Sequence, residues 1–314
     1  SDGIISIFLH NNPDPDAIAS AMAFELICEE IGKKTITYYS GKIGHPENEL
    51  FLENTGFEME NIDDKNLEKI IGKSDKIVFI DFARASINNI LPEYIEADII
   101  IDHHYTNKEI KGNNFVDIRT DVGATSTIIT KHLQNLEINI SSILASALLY
   151  GIKVDTHDYV KNIWPSDFRV IAYLSALADK ELLDIFESPP IEPNTMSALG
   201  RAINNRKFEG GILTAYMENV TKRDDIPQVA DLLSREKDII IVLVYGKMND
   251  DIYLSARSKS LDINIGKKMK KAFSDIGEAG GHSHSAGGRI SLSNFESESR
   301  MIDEIERRFK KEVL

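Results

Sequence analysis

Ile99-Ile100-Ile101-Asp102-His103-His104 ends an apolar run abruptly in a carboxylate and two imidazoles. The isoleucines read as a short buried strand. The three candidate metal ligands therefore fall at its carboxyl end, the edge where open α/β sheets bind ligands. The same pattern appears twice more. Ile4-Ile5-Ser6-Ile7-Phe8-Leu9 runs into His10, Asp14 and Asp16, and Lys76-Ile77-Val78-Phe79-Ile80 runs into Asp81. Three strands that each end in Asp or His predict a polynuclear metal site.

Helical stretches separate these strands. Residues 17–31 are rich in Ala and read as a helix, with Gly32 as C-cap. The patterning predicts a strand at 34–39, helices near 47–54 and 65–72, and strands near 76–80, 98–101 and 114–118. Helices follow near 123–135, 142–153 and 166–187. This alternation predicts the α/β class, with a mostly parallel sheet flanked by helices. Ser188-Pro189-Pro190-Ile191-Glu192-Pro193-Asn194 reads as a linker, because its prolines favour extended backbone. It separates a first domain, 1–187, from a smaller α/β domain, 195–314. That second domain should hold a helix near 195–206 and strands near 211–218, 238–245 and 251–257. A basic helix near 264–273, a glycine-rich turn, a strand near 288–292 and a terminal helix at 296–311 complete it.

The 314 residues suit two domains. No apolar run approaches the roughly 18–20 residues of a membrane span. Cys28 is the only cysteine, so a disulfide framework is excluded and a reducing, cytoplasmic setting is expected. The chain opens Ser1-Asp2-Gly3 without a Met, which fits a processed product or a piece of a longer protein with a domain upstream. Its 36 basic and 50 acidic residues give a net charge of −14. That balance argues against tracking of long nucleic acid, yet admits a small anionic substrate.

Taken singly, each polar residue has a plainer reading. Asp16 suits a helix N-cap, Asp81 a strand-end turn, and His103 or His104 a satisfied structural histidine. Their gathering at three strand ends of one sheet favours the metal site. Asp155 follows Tyr150-Gly151-Ile152-Lys153-Val154. Spacing alone leaves open a helix-end turn or a carboxylate reaching back to the sheet edge.

With these residues in place, the chain resembles the DHH phosphoesterase superfamily, named for the triplet matched by Asp102-His103-His104. Its first motif matches His10-Asn11-Asn12-Pro13-Asp14-Pro15-Asp16-Ala17-Ile18-Ala19-Ser20, its second Asp81, and its fourth Gly151 to Thr156. The resemblance spans residues 3–160. It implies two divalent ions, usually manganese, with magnesium or cobalt as alternatives. His10, Asp14 and Asp81 would hold one, and Asp16, Asp81, His103 and Asp155 the other, with Asp81 bridging. The resemblance leaves His104 to donate to a phosphate oxygen or to the leaving group. Asp81 and His104 are thus the expected catalytic residues.

The second domain offers two candidate anion sites. Tyr253-Leu254-Ser255-Ala256-Arg257-Ser258-Lys259 reads as a strand ending in a guanidinium fork suited to phosphate. Residues 277–288 form a glycine-rich stretch whose backbone can approach an anion closely. A solvated arginine and an ordinary glycine hairpin are the plain alternatives. Together the two stretches resemble the DHH-associated domain of the nano-RNase and RecJ-like branch. Arg257, Ser258, Gly280, Gly281 and His282 match its substrate-binding motifs. Where that branch continues Ala-Ala-Gly, this chain has Ala286-Gly287-Gly288. The run Lys267, Lys268, Lys270 and Lys271 reads as a solvated face that could also steer an oligonucleotide.

The expected function is that of a manganese-dependent phosphodiesterase. It would cut short oligonucleotides, or dinucleotides such as pApA or cyclic di-AMP, to 5′-mononucleotides, and the family suggests a homodimer. Two rivals remain: a RecJ-like single-strand exonuclease and a nucleotide-sensing module of a larger protein. Trp164 is the only tryptophan, which poorly fits the stacking platforms of a long single-strand channel.

Overall fold

The computed structural model describes residues 3–43, 46–106, 110, 115–188 and 191–314, and the elements below are those of the described residues. The chain divides into two compact units, Ser1–Pro189 and Pro190–Leu314. The division falls within the proline-rich segment.

The first unit begins with β1 (Ile4–Phe8), α1 (Pro15–Glu30), β2 (Lys34–Tyr39), α2 (Pro46–Thr55), β3 (Glu60–Asn61), α3 (Asp64–Ile71) and β4 (Ser74–Ile80). It continues with β5 (Ile99–Asp102), β6 (Phe115–Ile118), α4 (Thr125–Asn135), α5 (Ser142–Asp155), α6 (Pro165–Leu177) and α7 (Lys180–Glu187). Its strands form one wholly parallel sheet in the order β3-β2-β1-β4-β5-β6. Successive residues alternate between two cores, as the strand period requires. Ile7, Ile80 and Ile101 pack with the small-residue face of α1 and with α4 and α5. Phe8, Phe79 and Ile100 join Leu67, Phe82 and Leu91 on the other face. Burial on both faces explains the unbroken apolar runs. The strand order reverses between β1 and β4, so their carboxyl ends open the crevice that α/β sheets use for ligands.

Two readings of this unit change. The stretch 166–187 is two helices. Asp179 Oδ1 accepts from the Glu181 and Leu182 N–H groups, at 2.9 and 3.3 Å, and so caps a new helix. The first helix starts at Pro15, and its N-cap is Asp14, not Asp16.

The second unit runs α8 (Pro193–Asn204), β7 (Lys207–Glu209), β8 (Ile212–Asn219), α9 (Asp225–Ser234), β9 (Ile241–Met248), β10 (Asp251–Ser258), α10 (Ile265–Phe273), β11 (Gly277–Gly281), β12 (Ser285–Ser291) and α11 (Glu298–Val313). Its sheet has the order β11-β12-β10-β9-β8-β7. Only the β8–β9 pair is parallel among the described residues. The helices α8 and α9 cover one face and α10 and α11 the other. Pro193 and Asn194, read as linker, open α8. The helix α9 was not foreseen. Pro227 looks like a breaker, but it sits in the first turn, where no N–H is needed. Ile226, Val229, Ala230 and Leu233 then bury one helical face. The glycine-rich turn is a strand–turn–strand, because Gly277–Gly281 pairs with β12. A Cβ on Gly266 of α10 would overlap Gly281 O, so the helix and hairpin need glycine at that contact. No helix among the described residues is long and apolar enough to cross a membrane.

Candidate metal centre

The loop after β1 is pinned before it reaches its ligands. The Asn11 and Asn12 N–H groups donate to Asn88 O at 2.6 Å and Ser40 O at 2.9 Å. Asp14 Oδ1 then caps α1 by accepting from the Asp16 and Ala17 N–H groups, each at 3.0 Å. Its other oxygen stays 3.8 Å from His10 Nε2. Asp16 sits in the first turn of α1 and is fully buried. It accepts from the Thr125 N–H at 2.7 Å and the Ser126 N–H at 2.8 Å. Ala124, the N-cap of α4, offers no side-chain acceptor. A carboxylate from α1 therefore satisfies the open donors of α4, where the helix dipole also favours negative charge.

Asp81 follows β4 with φ at +66°, in the left-handed region. Such a conformation in a non-glycine residue costs on the order of 1–3 kcal/mol, and it is held by the Asp81 N–H on Ile101 O at 2.9 Å. The carboxylate faces two sides. Oδ2 lies 3.4 Å from His10 Nε2, and Oδ1 lies 3.6 Å from His103 Nε2. Thr125 Oγ1 donates to Oδ1 at 2.7 Å. Asp155 closes α5, with Oδ2 3.0 Å from His103 Nε2.

The ligand atoms of His10, Asp14 and Asp81 lie within 4.8 Å of one another, as do those of Asp16, His103 and Asp155. Asp81, His103 and His104 form a third such set. His103 Nε2 is buried without a well-aligned hydrogen bond: Asp155 Oδ2 stands 3.0 Å away, and the carboxylates of Asp81 and Asp16 face it as well. A buried polar atom left this way is costly unless a cation fills the gap. The donors are carboxylate oxygens and imidazole nitrogens without thiolate, a set suited to a hard or borderline divalent ion. These residues therefore fit divalent metal.

The electrostatics point the same way. Burial, then the charges of Asp81 and Asp155, raise Asp14 to about 6. Asp16 is pushed well up by the same causes. Burial works against charge on His10, but Asp81 and Asp14 outweigh it and raise the ring to about 9. Burial likewise opposes a charged His103, and Asp155, Asp16 and Asp81 raise it to about 10. Asp81 is lowered despite its burial, because His10 and His103 surround it. Without a cation the imidazoles must carry the positive charge that these carboxylates demand.

His104 is placed differently. Its Nδ1 lies 2.8 Å from Asp102 Oδ1, which also accepts the His104 backbone N–H at 3.0 Å. That contact, against a smaller effect of burial, raises the His104 pKa. Asp102 is buried while the His104 side chain is 58 % exposed. The ring joins His10, Asp14, Asp81 and Asp155 in lining a cavity of about 390 Å³. Asp102, read from the sequence as one of three candidate ligands, instead holds His104, and neither Thr125 nor the α4 N-terminus was foreseen at this site. The uncapped Ala124 is the one local signal for the last of these.

In the second unit, Arg257, Gly281 and His282 line a separate cavity of about 340 Å³ with Arg223 and Tyr253. Ser258 and Gly280 are not among its lining residues. Ser258 is buried, with its Oγ accepting from the Ser260 N–H at 3.2 Å. Gly280 pairs with Gly287 in the hairpin. The Arg257 fork is also already engaged: Nε and Nη2 donate to Asp231 Oδ1 and Oδ2 at 2.6 and 3.0 Å. In the lysine run, Lys271 pairs with Glu312 at 2.8 Å.

Comparison with known proteins agrees with this layout. Residues 4–152 match the DHH family N-terminal domain and residues 209–311 the DHHA1 domain. An uncharacterised protein of Methanocaldococcus jannaschii is 37% identical over 295 residues, or 93% of this chain. The chain spans 59% of that relative's length. The bifunctional oligoribonuclease and PAP phosphatase NrnA of Thermus thermophilus is 26% identical over 82% of this chain and 77% of its own. The crystal structure of an exopolyphosphatase-related protein from Bacteroides fragilis shares the fold. Its TM-score is 0.72 at 18% identity, covering 99% of this chain and 92% of that one. A parallel sheet with Asp and His at its switch point, followed by a DHHA1 domain, places this chain in the DHH family.

Proposed function

We propose that this protein is a manganese-dependent phosphodiesterase. Its substrates are short oligonucleotides or linear and cyclic dinucleotides, such as pApA or cyclic di-AMP, and its products are 5′-mononucleotides. The observation that carries this reading is Asp81, whose two oxygens face His10 on one side and His103 on the other. One carboxylate shared by two ligand sets is the arrangement a two-metal phosphoryl-transfer site requires.

His10 and Asp14 would hold one ion and Asp16, His103 and Asp155 the other, with Asp81 between them. Divalent ions there supply a water that ionises near neutral pH and positive charge for the phosphate oxygens. The protein's own groups do the rest. Asp102 holds Nδ1 of His104, which leaves Nε2 to donate to the departing 3′-oxygen as its bond to phosphorus breaks. Thr125 and the α4 N–H groups hold Asp81 and Asp16 against rotation. The second unit's cavity, with His282, Gly281 and Arg257 in its wall, would bind nucleotide. The likeness to NrnA supports a short nucleotide substrate.

The test is to incubate the chain with manganese and pApA, cyclic di-AMP or a long single-stranded DNA, and to measure mononucleotide release. Fast cleavage of the dinucleotides with the long strand spared is expected. Preference for the long strand would move the protein to the exonuclease class. Binding without turnover would make it a nucleotide sensor.

A further inference from the structure

The 390 Å³ metal cavity of the first unit has one permanent cation in its wall. Among the described residues that line it, Arg84 alone is an arginine or lysine. Its Nη2 stands 3.8 Å from Oε1 of the exposed Glu93, an ion pair beyond hydrogen-bond reach. Such long, exposed pairs are weak and readily exchanged. Arg257 is the contrast, its fork donating to both oxygens of Asp231 at 2.6 and 3.0 Å. The loop that carries Arg84 is fixed from within. Buried Asn89 accepts from the Ser86 and Leu91 N–H groups at 3.0 and 3.1 Å, and its Nδ2 donates to Arg84 O at 2.8 Å and Ile87 O at 2.7 Å. Asn88 O takes the Asn11 N–H at 2.6 Å, which ties this loop to the one that carries His10 and Asp14.

A guanidinium held this loosely can turn its planar fork to a phosphate, which outbids a distant exposed carboxylate. Ile87 and Tyr105 line the same cavity, and both side chains are exposed. An exposed aromatic and an exposed aliphatic side chain beside a phosphate-binding cation offer a nucleobase apolar faces to lie against. An inorganic polyphosphate carries charge along its whole length and needs cations along it. One arginine and an apolar rim serve such a chain poorly. They suit a ligand that has a phosphate at one end and a flat, uncharged ring at the other.

We propose that Arg84 grips the phosphate of a nucleoside phosphate in the metal cavity, while Ile87 and Tyr105 hold its base. The first unit thereby selects nucleotides over inorganic polyphosphates by its own residues. This inference rests on the reading of the protein as a nucleotide phosphodiesterase and names what that site recognises.

The manganese-loaded full chain is titrated with AMP and with inorganic phosphate. Binding is followed by the relaxation of the phosphorus nuclear resonance, which reports phosphate beside the paramagnetic ions. The wild type is expected to bind AMP about fivefold more tightly than phosphate. Arg84→Ala should weaken both ligands about tenfold, and Arg84→Lys, which keeps the charge without the fork, should recover part of the loss. Tyr105→Ala should weaken AMP about fivefold and leave phosphate unchanged. Manganese content should match the wild type in every variant. Equal affinity for phosphate in the wild type and Arg84→Ala overturns the proposal, as does a wild type that binds phosphate as tightly as AMP. Loss of manganese from Arg84→Ala overturns it too, because Arg84 would then act through the metals. Binding of AMP that depends on Arg84 and Tyr105, in a protein that never hydrolyses pApA, would sustain the site and defeat the phosphodiesterase reading. Hydrolysis of pApA with AMP relaxation indifferent to both substitutions would defeat the site alone.

Discussion

Asp102 Oδ1 holds His104 twice, through the backbone N–H at 3.0 Å and through ring Nδ1 at 2.8 Å. The first letter of the Asp-His-His triplet is therefore a clamp for the third. A buried acid that fixes an exposed imidazole sets both its tautomer and its direction. Asp102→Asn should lower kcat by about 10–100-fold, with KM and manganese content unchanged. Steady-state kinetics beside metal analysis would check this. A loss of bound manganese that matched the loss of turnover would mean that Asp102 acts through the metals instead.

Asp81 is the one residue among those described whose oxygens face both His10 and His103. Asp81→Ala should abolish turnover and empty both positions together, because neither ligand set is complete without it. Manganese stoichiometry by paramagnetic resonance should fall well below that of the wild type. Turnover equal to the wild type's would rule out the shared-carboxylate assignment.

Gly151 lies where α5 crosses α1. A Cβ there would lie 2.7 Å from Ser126 Oγ and 3.0 Å from Asp16 Cα. Alanine gains about 1 kcal/mol in helix propensity, whereas overpacking in a core costs about 1–3 kcal/mol. Gly151→Ala should therefore be destabilising on balance and should displace Asp16, weakening manganese binding. Ser126→Ala in the same chain removes the nearer clash and should restore part of both losses. Thermal melting and metal titration read the two effects separately. A Gly151→Ala protein as stable and as metal-avid as the wild type would show that α5 shifts at no cost.

His282 lines the second unit's cavity, and its N–H donates to Ser285 O at 2.8 Å, closing the hairpin turn. His282→Ala keeps that backbone bond and removes only the ring. It should raise KM for short substrates with little change in kcat. A pure fall in kcat at unchanged KM would place the ring with the reacting phosphate instead.

The first sheet and the chemistry at its edge were legible before any folding was seen. Parallel strands buried on both faces need unbroken apolar runs, so β1, β4 and β5 announce themselves, and His10, Asp81 and His103 stand where those runs stop. Residue type alone also indicated oxygen and nitrogen donors for a divalent ion. How these groups are held, and which of them are free, depended on contacts between distant segments. Asp16 meets Thr125 and Ser126 from 109 and 110 residues away, and no local pattern encodes such a pairing. Asp155 could be a turn or a ligand until α5 packed against α1 and brought its last residue to His103. Arg257 read as a free fork because its partner, Asp231, lies on α9, a helix that Pro227 disguised. Charge in a sequence is a formal count. Whether a guanidinium can meet a phosphate depends on the carboxylates that folding places beside it, and here folding clamped Arg257 and not Arg84.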